Sequence, residues 1–195
     1  YKENENILAI AGTSFYNNHS SQQTSYYFSK YIPCWGWATW RRAWKNYNEN
    51  ISFWPEWRMS EDWLKHTPDK IERKYWKRIF DLVRDEKIDS WAYPWTASIW
   101  HNGGLVACPS INLVSNIGFG LESTHTHNKN NKISNMSVGE IGSLKHPSKI
   151  QRNVDADTWI FNNIYGGRNL RFPYNFIFFP IRVIRYFFKK IKKFI

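Results

Sequence analysis

Cysteine and long apolar runs are both scarce in this sequence. Cys34 and Cys108 are the only cysteines among 195 residues, and both lie in apolar surroundings. Two such residues cannot supply the disulfide framework of a small secreted domain, so we expect a reducing, cytoplasmic compartment. The most apolar stretch, at the C-terminus, is interrupted by charge too often for a bilayer-spanning helix, which needs about 20 mainly apolar residues.

Acidic residues are absent after Asp157, whereas eight cations follow it: Arg168, Arg171, Arg182, Arg185, Lys189, Lys190, Lys192 and Lys193. Removing these eight from the formal net charge of +11 leaves +3 for residues 1–157. The basic character therefore belongs to the tail. This distribution argues against nucleic acid as a partner of the whole domain, and no base-reading motif is present.

The tail, residues 172–195, is predicted to be a basic amphipathic helix that Pro180 can open. A helical projection places its apolar residues on one side: Ile181, Ile184, Phe187, Phe188, Ile191, Phe194 and Ile195. Its cations fall on the other side. Such a helix fits the headgroup layer of an anionic membrane, so we expect peripheral association with the inner face of the cell membrane. The alternative is that the apolar side packs on the domain and the lysines are solvated.

Tryptophan is abundant, and four of the 12 tryptophans fall within residues 26–44, YYFSKYIPCWGWATWRRAW. The spacing predicts one face of a helix whose other side carries two arginines: Trp37, Trp40 and Trp44, with Arg41 and Arg42. Indoles of this kind are either core residues or the wall of a cleft. In a cleft, a flat apolar face with a polar edge suits a sugar ring.

The remaining pattern predicts an α/β fold. Residues 7–11, ILAIA, predict a buried strand of a mixed or parallel sheet, and LVACP (105–109) and INLV (111–114) predict two short strands. Apolar residues every fourth position predict a four-turn helix ending near Arg84, with Thr67 as its cap. Two further helices are predicted, one opened by Pro94 and one spanning 154–165 with Asp155 or Asp157 as its cap. Pro55 predicts an irregular FWPEW segment.

Three motifs follow one another along the chain: PCWGWATWRRAW, DSWAYPW and NLVSNIGFGLESTHT. Together they resemble the C-terminal half of a family of bacterial nucleotide-sugar transferases. These are often labelled haemolytic or haemolysin-activation proteins and are distantly similar to N-acetylglucosaminyltransferase I. The resemblance covers about residues 6–127, with a weaker extension to about 161. It implies that residues 1–165 are the acceptor-side half of a GT-A glycosyltransferase domain, and that the nucleotide-binding part is missing before Tyr1.

The resemblance also implies binding residues. An acceptor cleft would be shaped by three indoles: Trp35, Trp37 and Trp91. The loop that closes over the donor would include Ser123, Thr124 and His125. Hydroxyls and loop amides can donate to diphosphate oxygens, and a neutral imidazole can bind phosphate through its N–H. The alternative is a mobile polar loop with an incidental His-x-His, since His125 and His127 lack a third metal ligand. His66, His101 and His146 are expected to be structural or solvated.

The catalytic base of the family is an aspartate directly after the tryptophan that corresponds to Trp91, and this sequence has Ala92 there. Alanine cannot accept a proton. Asp89, three residues earlier, is therefore the candidate base for deprotonating an acceptor hydroxyl. The alternatives are that Asp89 caps a helix, that another residue serves, or that the reaction has been lost.

The only Asp-x-Asp, Asp155-Ala156-Asp157, is not expected to bind metal. It follows Asn153-Val154 rather than a buried apolar strand, and it lies where a helix is predicted to begin. A divalent metal, Mn or Mg, is expected in the full-length protein, because it neutralises charge on the departing diphosphate. Its ligands are expected mostly outside this chain, and we assign none within it.

These inferences predict a glycosyltransferase of the hexosyl or N-acetylhexosaminyl type. It would move a sugar from a nucleotide diphosphate donor to a hydroxyl of a glycan or lipid-linked glycan, as in the synthesis of a cell-envelope polysaccharide. The fragment by itself is expected to be inactive. The alternative is a non-catalytic module that binds carbohydrate or a membrane surface, and Ala92 favours it.

Overall fold

The computed structural model describes residues 1–16, 24–117 and 135–176. Its elements in chain order are β1 (Ile7–Ala11), β2 (Tyr26–Ser29), β3 (Trp37–Thr39), α1 (Arg41–Trp44), α2 (Trp54–Trp57), α3 (Glu61–His66), α4 (Lys70–Arg84), α5 (Ala92–His101), β4 (Leu105–Pro109), α6 (Val154–Asn163) and a 3₁₀ turn (Gly167–Leu170). The predicted mixed α/β architecture is confirmed. Most of the predicted C-terminal helix lies outside the described residues.

The four strands form one mixed sheet in the order β2-β4-β1-β3. The central strands β1 and β4 are parallel, whereas β2 and β3 pair antiparallel to them at the edges. Residue Ala11, at the carboxyl end of β1, pairs with Trp37 at the start of β3. The chain therefore delivers its tryptophan-rich segment to the sheet edge where the parallel strands end, which is the edge that binds ligands in open α/β sheets.

Strand predictions were right for the centre of the sheet and wrong at its edges. β1 and β4 have the predicted bounds, but β2 and β3 were not predicted, and residues 111–114 do not form a strand. The latter segment is held by side-chain bonds instead: the Asn112 Oδ1 accepts from the Ser14 amide at 3.1 Å, and its Nδ2 donates to the carbonyls of Val114 and Ser137. The Asn112 side chain thus joins three separate backbone segments, and two of its three bonds reach residues distant in sequence.

The predicted helix on the tryptophan-rich segment is wrong. Trp37 belongs to β3, and α1 is a single turn in which Trp40 is the N-cap. Gly36 adopts a φ of +56°, and its carbonyl accepts from the Gly12 amide at 2.5 Å. Pairing with β1 thus overrides the helical spacing of the indoles. The FWPEW segment is also regular, as the one-turn α2, because Pro55 occupies the first turn, where no amide donor is needed.

The longer helices lie where they were predicted, with different caps. Asp69 rather than Thr67 caps α4, accepting from the amides of Ile71 at 2.8 Å and Glu72 at 2.9 Å. Helix α5 begins two residues before Pro94. Helix α6 is capped by Asn153 rather than by Asp155 or Asp157. In α4 and α6 the side chain of the residue just before the helix accepts hydrogen bonds from its free amides, whereas the N-cap of α5, Trp91, offers none.

Half of the 12 tryptophans are buried core residues. Five indoles are at most 1% exposed: Trp54, Trp63, Trp76, Trp95 and Trp100. Several meet edge to face, with ring centroids 5.0 Å apart for Trp54 and Trp63 and 4.9 Å apart for Trp76 and Trp100. Edge-to-face pairs contribute about 0.5–1.5 kcal/mol beyond the area they bury. This aromatic core joins the helices to one another and fixes the loops that border the site.

A buried charged cluster joins β2 to α4 and α6. Lys30 Nζ forms an ion pair with Oε1 of Glu72 at 2.6 Å and lies 4.5 Å from the Trp100 ring centroid. Beside it, the Ser29 hydroxyl donates to Asp157 at 2.5 Å, and Arg152 Nε donates to the other carboxylate oxygen at 2.5 Å. Opposite charges thus neutralise each other where water is excluded.

None of the helices in the described ranges, residues 1–16, 24–117 and 135–176, has the length and apolar character needed to cross a bilayer.

Candidate functional site

An aromatic stack lies at the carboxyl edge of the sheet. The rings of Trp37 and Trp91 are stacked, with centroids 5.2 Å apart and an interplanar angle of 25°. Trp44 lies 5.9 Å from Trp37 and stacks on Tyr47 at 4.5 Å. Beneath them Trp95 is fully buried. Residues from β3, α1 and the start of α5 thus converge, although they are widely separated in sequence.

Trp91 borders a cavity of about 530 Å³. The loop after α1, helices α4 and α5 and above all the connection between these two helices supply its lining: Tyr47, Glu49, Asn50, Val83, Glu86, Ile88, Asp89, Ser90, Trp91 and Pro94. This volume is in the range of small-molecule pockets, about 300–1,000 Å³. Trp91 is 45% exposed. Its face is therefore available to a ligand while Trp37 supports the ring from behind.

Asp89, the candidate base, lines this cavity beside Trp91. Its carboxylate makes no hydrogen bond or ion pair with any residue that the structure describes. Asp89 does not cap α5, because the N-cap is Trp91 and the Ala92 amide donates instead to the Ser90 hydroxyl at 3.3 Å. The helix-capping alternative is thus removed, and the carboxylate is free to meet a ligand.

Two further carboxylates, Glu49 and Glu86, line the same cavity, and none of its described lining residues is a cation. Neither makes an ion pair within the described part of the chain. Burial, with a smaller contribution from Glu49, raises the pKa of the Tyr47 phenol. The phenol therefore stays protonated and can donate a hydrogen bond. A cavity of this charge disfavours a diphosphate and suits a neutral or cationic ligand with hydroxyl groups.

The proposed donor residues Ser123, Thr124 and His125 lie outside the described residues. The ends of their segment are anchored together, since the Asn135 amide lies 3.5 Å from the Asn116 carbonyl. This anchor is close to the aromatic stack, because Val114 packs directly on Gly36, next to Trp37. Asn116 and Asn135 thus lie near the same sheet edge as the tryptophans.

Trp35 lies apart from the other two proposed acceptor residues. Its ring meets Phe15 edge to face at 5.9 Å, and its carbonyl accepts from the Thr13 hydroxyl at 2.8 Å. It does not line the cavity beside Trp91. The structure therefore brings Trp37, Trp91 and Asp89 together and places Trp35 against the loop after β1.

Sequence reasoning missed part of the cavity wall. Tyr47, Glu49 and Glu86 come from polar connections after α1 and α4, which have no apolar period to mark them. Glu86 adopts a φ of +56°, which ends α4 and turns the chain toward Asp89. The sequence offers one signal for this wall: Trp44 and Tyr47 are three residues apart, a spacing that places two side chains side by side on a helical turn.

The described residues contain no candidate divalent-metal site. Within the described ranges, no three His, Cys, Asp or Glu side chains are grouped so as to hold a metal ion. Asp157, from the Asp-x-Asp sequence, is engaged by Ser29 and Arg152, whereas Asp155 is exposed on the first turn of α6. The two aspartates therefore do not share a ligand site.

No protein-family model, curated protein or solved structure matches the chain.

Proposed function

We propose that the chain is the acceptor-side half of a GT-A glycosyltransferase. The full-length protein would transfer a hexosyl or N-acetylhexosaminyl group from a nucleotide diphosphate donor to a hydroxyl of a glycan or lipid-linked glycan. One observation supports this most directly. Asp89, a carboxylate without a partner among the described residues, shares a cavity with the exposed Trp91, which stacks on Trp37.

In this proposal an acceptor sugar lies against the Trp91 indole, which presents a flat apolar surface to the C–H face of the ring. Tyr47 and Asn50 line the same cavity and offer hydrogen bonds to hydroxyls. Asp89 accepts the proton of the attacking hydroxyl as its oxygen bonds to the anomeric carbon of the donor sugar, while the bond from that carbon to the nucleoside diphosphate breaks and the diphosphate leaves. Such general-base assistance contributes about 10²–10⁴-fold to the rate.

The donor would be held by the missing N-terminal half and covered by Ser123, Thr124 and His125. The acidic cavity is compatible with donor binding elsewhere, because the carboxylates of Glu49, Glu86 and Asp89 repel a diphosphate. A divalent metal would be ligated by the missing half. Nothing in the described residues offers it a site, so no step here depends on it.

We also propose that the protein lies on the inner face of the cell membrane, held by the basic amphipathic tail at 172–195. Deleting residues 180–195 from the full-length protein is expected to release it from anionic liposomes. Unchanged co-sedimentation would refute this role for the tail.

The decisive experiment is Asp89→Asn in the full-length enzyme, after a donor-hydrolysis screen with a panel of nucleotide sugars has identified the donor. We expect a loss of transfer of at least about 100-fold with little change in thermal stability, because the Asp89 carboxylate bonds to none of the residues that the structure describes. Asp85→Asn is the matched control, since Asp85 is an exposed aspartate that ends α4 and pairs with Lys87. Near-normal turnover in Asp89→Asn would remove Asp89 from the mechanism.

The second candidate is a non-catalytic carbohydrate-binding module, which Ala92 favours. Ala92 begins α5 immediately after Trp91, so the position that the family uses for its base carries no proton acceptor. The two candidates differ in a simple measurement. A module would bind glycans with equal affinity in the wild type and in Asp89→Asn, and neither protein would consume any nucleotide sugar.

A further inference from the structure

A second pocket, of about 260 Å³, lies between α3 and α4 and is strongly basic. Five cations line it together with Trp63 and Leu64: Arg58, Lys70, Arg73, Lys74 and Lys77. No acidic residue is among the lining residues. Four of the cations lie on α4 at positions i, i+3, i+4 and i+7, so they form one continuous stripe along the helix.

The positive charge of this pocket is only partly compensated. Asp81 is shared by two of the cations, lying 3.1 Å from Arg58 and 2.7 Å from Lys77. Lys70 and Lys74 have no ion pair with any described residue. Two lysines four residues apart on one helical face repel each other. Their unpaired charge is therefore available to an anion.

The remaining cations are held in place by the protein. Arg73 Nη1 donates to the carbonyls of Thr67 at 2.7 Å and Pro68 at 3.2 Å, which fixes its guanidinium at the start of α4. The buried Nε of Arg58 has no hydrogen-bond partner among the described residues. Part of the basic surface is thus preorganised, and an anion that binds it does not first have to order these side chains.

Exposed apolar side chains adjoin this basic surface. Leu64 lines the pocket and is 49% exposed. At the start of α4, Asp69 binds Arg171 at 2.7 Å, and the chain continues from there into Phe172, which is 79% exposed and meets Phe176 at 5.9 Å. Cations beside protruding apolar side chains are typical of surfaces that lie in a membrane interface.

We propose that the α3–α4 face is a binding surface for the phosphate headgroups of an anionic membrane, separate from residues 177–195 of the predicted tail. The pocket receives a lipid phosphate between Lys70, Lys74 and Arg73, while Leu64 enters the acyl boundary beside it. This surface belongs to the folded body and needs neither the proposed transferase activity nor residues 177–195.

Nucleic acid is the competing occupant, and the lining residues favour lipid over it. Single-stranded nucleic acids bind through bases stacked on exposed aromatic faces. The only aromatic ring lining the pocket, Trp63, is 1% exposed, whereas the accessible apolar group is the aliphatic Leu64. An aliphatic side chain offers no stacking surface to a base but can be buried in lipid.

The test uses the full chain and vesicles of phosphatidylcholine with or without phosphatidylserine. The charge-reversal pair Lys70→Glu and Lys74→Glu should weaken co-sedimentation with the anionic vesicles by at least about tenfold, since each cation near such a surface contributes about 1 kcal/mol. The matched control is Lys145→Glu with Lys149→Glu, an exposed pair with the same spacing that does not line this pocket. It should retain binding within about threefold, because neither lysine lines the pocket proposed to hold the phosphate.

A third variant separates the possible sources of the anion. Leu64→Ser should weaken vesicle binding but leave the binding of duplex DNA and of inorganic pyrophosphate unchanged. Equal losses from both charge-reversal pairs would show that binding is a general charge attraction and would overturn the proposed site. An undiminished binding in Lys70→Glu with Lys74→Glu would overturn it as well. A Leu64→Ser protein that binds vesicles like the wild type would also overturn the assignment to lipid.

Discussion

Lys30 Nζ lies 2.6 Å from Oε1 of Glu72, and the lysine side chain is completely enclosed. Burial lowers the pKa of Lys30 to about 8, while the charge of Glu72 opposes this shift. The ammonium also faces the Trp100 ring. The Tyr31 hydroxyl donates to the same carboxylate. The pair therefore joins β2 to α4 through the interior of the protein.

Lys30→Met should lower the free energy of unfolding by about 3–5 kcal/mol, because it leaves the Glu72 carboxylate buried and without its cation. Adding Glu72→Gln should recover part of this loss, since the second change removes the uncompensated charge. The measurement is a double-mutant cycle by urea denaturation. Lys77→Met is the control: its pair with Asp81 is partly exposed and should cost less than about 1 kcal/mol. Additive effects of the first two changes would contradict the interpretation.

His66 should make the protein sensitive to acid. Its ring lies 4.8 Å from Trp100, and its buried Nε2 has no hydrogen-bond partner among the described residues. Burial, with the charges of Lys30 and Arg152, holds the pKa of His66 well below its usual value of 6.5. The unfolded chain takes up a proton below about pH 6.5 and the folded chain does not. Stability contributed by neutral His66 is therefore complete above pH 6.5 and is lost as pH falls.

The expected slope is at most roughly 1.4 kcal/mol per pH unit below pH 6.5, measured as the free energy of unfolding in urea between pH 6.5 and 5. His66→Phe should remove this contribution and leave stability at pH 7 nearly unchanged, because a phenyl ring suits the aromatic surroundings. His146→Gln, at an exposed histidine, serves as the control. An unaltered slope in His66→Phe would show that other groups cause the acid sensitivity.

Trp91→Ala should weaken the binding of neutral oligosaccharides by about fivefold, corresponding to the ~1 kcal/mol of one aromatic contact. Because the indole is half-exposed and adds little to the core, the fold should persist. Titrations followed by tryptophan fluorescence, with urea denaturation as the check on folding, measure both effects. Trp159→Ala is matched to it: that indole is 39% exposed, on α6, and lies outside the cavity. Equal losses in the two variants would contradict a specific role for Trp91.

The central part of the fold was predictable because it follows local rules. β1 and β4 are short apolar runs bounded by glycine or proline, and α4 repeats an apolar residue every fourth position. The edge strand β3 was not predictable in the same way. Trp37, Trp40 and Trp44 have helical spacing, yet the positive φ of Gly36 and the pairing of Trp37 with Ala11 are tertiary effects that no local pattern contains.

The residues of the candidate site also fall into two groups, those that a sequence motif identifies and those that depend on tertiary structure. Trp91 and Asp89 were identified from a motif, and the structure places them in one cavity with Trp37 stacked behind. Glu49 and Glu86 were not identified, because acidic residues in connecting segments look the same whether they face solvent or a ligand. Trp35 shares the motif but packs on Phe15, since Gly36 reverses the chain between the two indoles.

The two aspartates of the Asp-x-Asp sequence should behave differently. Asp157 is buried and binds Ser29 and Arg152, so Asp157→Asn should lower the free energy of unfolding by about 3 kcal/mol, because it leaves the Arg152 charge without its partner. Asp155 is exposed on the first turn of α6, and Asp155→Asn should cost less than about 1 kcal/mol through the helix dipole alone. Urea denaturation with and without Mn²⁺ measures both. If Mn²⁺ stabilised the wild-type protein and either substitution abolished this effect, Asp155 and Asp157 would be shown to bind the metal. Equal costs would contradict the structural role of Asp157.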